Sequence, residues 1–95
     1  MAQITVNPKE LEQEATNLMN MKNNLKCEVD ALANLENALS QMWAGPAREE
    51  FHTYFTKDYN QMIQFYNLIE QYAKTLINIA QDYDNAENKS KLIAQ

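Results

Sequence analysis

Cys27 and His52 are the only residues of their kinds in this 95-residue chain, and they are the first candidates for chemistry. A thiolate nucleophile needs a base to take its proton, and Cys27 has no plausible base near it in sequence. A metal site needs several ligands at helical or turn spacing, whereas His52 follows Phe51 with no second His and no Cys at such a spacing. One glycine cannot build a phosphate-cradling loop, and no carboxylate pair falls where a concave site is expected. The single cysteine cannot close an internal disulfide, so the redox compartment stays undetermined. Neither catalysis nor a metal or cofactor is expected. The chemistry left is recognition.

Two places have the residues for it. Met42-Trp43-Ala44-Gly45-Pro46 brings together the only Trp and the only Gly of the chain, with one of its two Pro. Gly45 can cap a helix or take a positive φ, and Pro46 lacks the N–H that a continuing helix would need. At a first helical position that loss costs nothing, so the segment reads as helix, elbow, helix. Trp43 at such a point fills the gap where two helices part, and it also offers a large contact surface to a partner. Further on, Tyr83 and Glu87 stand one helical turn apart and share a face. Read by itself, Tyr83 is the last aromatic of an apolar seam and Glu87 a solvated charge.

Long helices must position both clusters. Asn7-Pro8-Lys9-Glu10 is a start signal, with Asn7 as N-cap, Pro8 first in the helix and Glu10 closing a capping box. The first helix, expected over about 8–41, carries a heptad seam through Leu11, Ala15, Leu18, Lys22, Leu25, Val29, Leu32, Glu36, Leu39 and Trp43, widened by Met21, Leu35 and Met42. The second, expected over about 46–88, repeats it through Phe51, Phe55, Asp58, Met62, Phe65, Ile69, Tyr72, Leu76, Ile79 and Tyr83. Tyr59, Tyr66, Ala73 and Ala80 flank that row. Thr53, Asn60, Asn67, Lys74 and Gln81 form the polar face opposite. Lys22, Glu36 and Asp58 interrupt the seams, either as solvent-facing rim positions or as polar residues that specify register or partner. Cys27 falls on the outer face. The tail, 89–95, with Lys89, Lys91, Leu92 and Ile93, is a helix extension or a disordered end.

The expected fold is therefore all-α: one domain, an antiparallel two-helix hairpin with its turn over 43–46. Helices of roughly 33 and 40 residues span about 50 and 60 Å, too long for a compact monomer of this mass. Two helices enclose no core, and the extra apolar row on the second would remain in water. A second hairpin resolves this as a homodimeric four-helix bundle. Its core, within and between hairpins, would use Leu18, Leu25, Val29, Leu32, Leu39, Phe55, Met62, Phe65, Ile69 and Leu76.

Composition narrows the partners. The 45% apolar content, periodically placed, argues against disorder despite a mean hydropathy of -0.60. A net charge of -5 without any Lys/Arg cluster disfavours nucleic acid and anionic membranes. No stretch approaches the length of a membrane span, and the opening residues lack the basic start and apolar core of a Sec signal. Stable membrane insertion is not expected.

The Ile-Thr-Val-Asn-Pro-Lys-Glu-Leu opening, the Trp43-Ala44-Gly45 triplet at the midpoint and the Tyr83-Asp84-Asn85-Ala86-Glu87 motif near the end together resemble the WXG-hundred family over essentially the whole chain. These are relatives of the early secreted antigenic target proteins, exported by type VII (ESX) secretion systems. The resemblance implies a small secreted protein that leaves the bacterial cytoplasm as a folded dimer without a Sec signal. It also implies a bipartite export signal, in which Tyr83 and Glu87 of one subunit lie beside the Trp43 and Gly45 elbow of the other, read by a hexameric FtsK/SpoIIIE-like ATPase. Helping the export of other substrates would accompany that role. An alternative on the same fold is a helical chaperone that pairs with a larger type VII toxin. A cytosolic coiled-coil scaffold, with Trp43 and Tyr83 only as core residues, is the reading from another class.

Overall fold

A computed structural model describes residues 6–94, with side chains through residue 87. The start of the family-like opening, Ile4 and Thr5, and the tail side chains Lys89, Lys91, Leu92 and Ile93 lie outside the described residues.

Two helices make the fold: α1 (Pro8–Met42) and α2 (Pro46–Ala94), paired as an antiparallel hairpin. Local chemistry sets their starts. The Lys9 N–H donates to Asn7 Oδ1 at 3.0 Å, and the Glu10 and Leu11 N–H groups donate to the Asn7 carbonyl at 3.1 and 3.2 Å. Asn7 thus caps through the second N–H of the helix, and among the described residues no return bond from Glu10 completes a capping box. Pro46 opens α2, where its ring needs no hydrogen bond, and the Glu49 N–H donates to the Gly45 carbonyl at 3.2 Å. At its far end α2 runs to Ala94, past the stop expected near 88.

The chain divides into two compact units, one of Met1–Asn20 with Ile69–Gln95 and the other of Met21–Leu68. In the first, Ala15, Ala73 and Ala80 are wholly buried and Ile69 nearly so. Ala15 and Ala73 stand equally far along the chain from Ala44, so an antiparallel hairpin sets them at one level. Methyl side chains there allow the two backbones to approach closely. In the second unit Val29 is buried, and the other buried seam residue is Glu36.

Helix pairing buries a narrower stripe of α2 than the sequence outlines. The inward row runs through His52, Phe55, Tyr59, Met62, Tyr66, Ile69, Ala73, Leu76 and Ala80, all buried or half-buried. Phe51, Asp58, Phe65, Tyr72 and Ile79, at seven-residue intervals, remain exposed one row to the side. Of the expected core, Val29 and Ile69 are buried, and Leu18, Leu25, Phe55, Met62 and Leu76 are half-buried. Leu32, Leu39 and Phe65 are exposed, because a single neighbouring helix cannot cover a stripe more than one row wide.

Candidate functional site

The elbow lies wholly within the second unit. α1 stops at Met42, Trp43 and Ala44 are irregular, and Gly45 takes φ 123°, a conformation that any Cβ would strain. An added Cβ would meet nothing within 4 Å. The demand for glycine therefore comes from the backbone angle and not from lack of space.

Trp43 leans on an aromatic ladder rising along α2. Its ring centroid is 5.9 Å from that of Phe51, tilted by 51°. Phe51 then stacks on Phe55 at 6.5 Å and Phe55 on Tyr59 at 5.8 Å. The i, i+4 spacing on α2 produces this ladder, and centroid separations of this size suit offset aromatic packing. Trp43 stays 38% exposed and Phe51 41% exposed, so one side of the platform faces outward.

Behind the platform is a polar cluster that the sequence did not reveal. Glu36, only 7% exposed, lies with its Oε1 2.6 Å from His52 Nδ1, and the same oxygen accepts a hydrogen bond from Ser40 Oγ at 3.2 Å. The His52 hydrogen bond, assisted by the charges of His52 and Arg48 and by Ser40, holds the Glu36 carboxyl below its ordinary value of 4.5 against the opposing effect of burial. An ionised carboxylate only accepts, so the imidazole Nδ1–H is the donor. Arg48 Nη1 pairs with Glu49 Oε1 at 3.0 Å, and its buried Nε has no hydrogen-bond partner among the described residues. Glu36 is thus no solvent-facing rim residue. Of the other seam interruptions, Asp58 is exposed and Lys22 half-buried. The available signal was positional: Glu36 and His52 are equidistant from Ala44, so a tight elbow must bring them level.

The tail motif belongs to the first unit. Tyr83 is 48% exposed and Glu87 is exposed, on one face of α2. Beside them an open groove of about 300 Å³ is lined by Val6, Pro8, Tyr83, Ala86 and Glu87. Val6 and Pro8, at the start of α1, are therefore brought close to Tyr83 and Glu87, a proximity that neither motif signals in the sequence. Cys27 is exposed. Among the described residues no group of three His, Cys, Asp or Glu could hold a metal ion, and no helix is long and apolar enough to cross a membrane.

Residues 3–88 match the family described as proteins of 100 residues with WXG. Among solved structures the chain is similar to the selenomethionine-labelled secreted protein EsxB of Bacillus anthracis strain Sterne. The two are 29% identical with a TM-score of 0.79, over 92% of this chain and 99% of that one. Wild-type EsxB of the same strain, in the P21 space group, matches at 28% identity and a TM-score of 0.77, over 88% of this chain and 97% of that one. No curated protein sequence matches this chain.

Proposed function

The chain belongs to the family of proteins of 100 residues with WXG, a small type VII secretion-associated protein, and on that premise we propose that it is exported as a folded homodimer and is read by contact, without chemistry of its own. The observation that carries this reading is the exposure of Trp43 at the elbow and of Tyr83 and Glu87 on α2. Trp43 stands over the Phe51 ladder at the elbow, and Tyr83 with Glu87 lines a groove towards the C-terminal end of α2. Aromatic rings held this way supply contact area at little entropic cost, as recognition of a folded export substrate requires.

The dimer follows from the apolar rows that the hairpin leaves open. In the second unit Leu32, Leu35, Leu39 and Met42 on α1, and Phe51, Tyr54, Phe65 and Leu68 on α2, are all exposed. In an antiparallel pair with heptad spacing these rows fall on the same side of the inner seam, so one partner surface covers both. A second copy supplies such a surface and completes a four-helix bundle. On this reading the tail motif of one subunit and the elbow of its partner form the signal taken up by an FtsK/SpoIIIE-like ATPase, and the dimer assists export of other substrates. The same open face supports a second reading, a heterodimer with the helical part of a larger co-secreted toxin.

The decisive experiment is the ratio of protein in culture supernatant to cell pellet in the native host, for wild type and Tyr83→Ala, with helicity checked by circular dichroism. The expected result is export of the wild type and retention of a folded Tyr83→Ala. Retention of both, in cells that export another substrate of the same system, overturns the export reading. Aggregation of the purified chain that is relieved only by a co-expressed larger partner replaces the homodimer with the heterodimer.

A further inference from the structure

Between residue 37 and residue 51 no side chain is buried, and the apolar contact at the elbow is the partly exposed ring pair of Trp43 and Phe51. The nearest tie that involves a buried residue is polar. Glu36 on α1 meets His52 on α2 at 2.6 Å, with Ser40 from α1 donating to the same carboxylate and Arg48 from α2 adding its charge. We propose that Glu36, Ser40 and His52 form a titratable latch that holds the elbow closed and poises the Trp43 platform, and that releasing it opens the elbow locally while the remainder of the hairpin stays paired.

The geometry favours local opening. Buried apolar contacts hold Val29 in the second unit and Ala15, Ala73 and Ala80 in the first, none of them near the turn. A segment with few buried contacts unfolds at less free energy than a packed one, and here a charged hydrogen bond sets the difference. The charged groups around the carboxylate are His52 and Arg48, and Arg48 is itself paired with Glu49. Protonating Glu36 removes the charge that Arg48 faces and to which His52 donates. Phe51, on which Trp43 rests, adjoins His52, so movement of the latch passes directly to the ring. Trp43 and Gly45 matter to export only if the proposed function holds, but the latch is tested in the purified protein and stands or falls separately.

Hydrogen exchange supplies the first test. In Glu36→Gln the amides of 38–51 are expected to exchange about tenfold faster, while those around Ala15, Ala73 and Ala80 keep their wild-type rates. Uniform acceleration along both helices, or none at the elbow, overturns the latch. Should Glu36→Gln fail to fold, His52→Leu provides the same comparison, since the His52 side chain is 45% exposed and Glu36 keeps its hydrogen bond from Ser40. Acrylamide quenching of Trp43, the only tryptophan, gives the second test between about pH 6 and about pH 3.5. Quenching should rise at the acid end in wild type, at constant helicity, and stay flat in the double variant Glu36→Leu/His52→Leu, where an apolar contact replaces the titratable one. An equal rise in both proteins shows that Glu36 does not govern the elbow.

Discussion

A carboxylate in an apolar seam has to be satisfied or it destabilises the pair, and Glu36 is satisfied twice, by His52 and by Ser40. The sign of its pH effect follows. Its pKa is lower in the folded chain than its ordinary 4.5, so its contribution to stability is fully present above that pH and is lost as pH falls through the folded value. Exchange of the elbow amides in wild type and Glu36→Gln is therefore expected to show a gap in rate that is widest above about pH 4.5 and closes on acidification. A gap independent of pH would contradict the assignment. Gly45 illustrates a different kind of residue-level requirement, since the space around it is open and only its φ of 123° demands glycine. Its place beside Pro46 made the elbow legible in the sequence. The Glu36 partner was not legible in that way, because sixteen residues separate it from His52 and neither neighbourhood marks the other.

At the scale of the helix, width of stripe decided more than hydrophobicity. The sequence shows two adjacent apolar rows on α2, and periodicity alone cannot say which faces α1 and which remains open. Side-chain size carried the answer: the fully buried positions of that helix are Ala73 and Ala80, where large residues would hold the backbones apart. Replacing Ala73 by Leu should therefore overpack the interface and lower stability by about 1–3 kcal/mol, measured by urea unfolding at neutral pH. A neutral effect would mean that the helices separate easily at that level. Phe65→Ala, by comparison, removes a ring that is 57% exposed in the single chain, so its effect on an isolated hairpin should be small.

At the scale of the molecule, that exposed ring becomes the diagnostic. Phe65 lies in the row that the proposed second copy covers, beside Leu68 and Tyr54. Phe65→Lys is expected to halve the mass found by sedimentation equilibrium while leaving the helix content of the chain largely in place. A wild-type mass equal to one chain, or a variant that stays paired, would remove the homodimer from the proposed function. An unpaired charge in a desolvated interface costs several kcal/mol, so one substitution suffices for the test.

Sequence alone determined what local chemistry and periodicity control: two long helices, their starts at Asn7-Pro8 and Gly45-Pro46, and the W-x-G triplet of the family. The likeness to secreted EsxB rests on the fold as well as on 29% sequence identity. Only the tertiary structure decided which apolar row of α2 turns inward, that Glu36 and His52 meet, that Trp43 caps an aromatic ladder, and that Val6 and Pro8 reach the tail motif. The physical reason is common to all four. Helical periodicity assigns a residue to a face, but what that face meets depends on how closely two backbones approach and at which level they align.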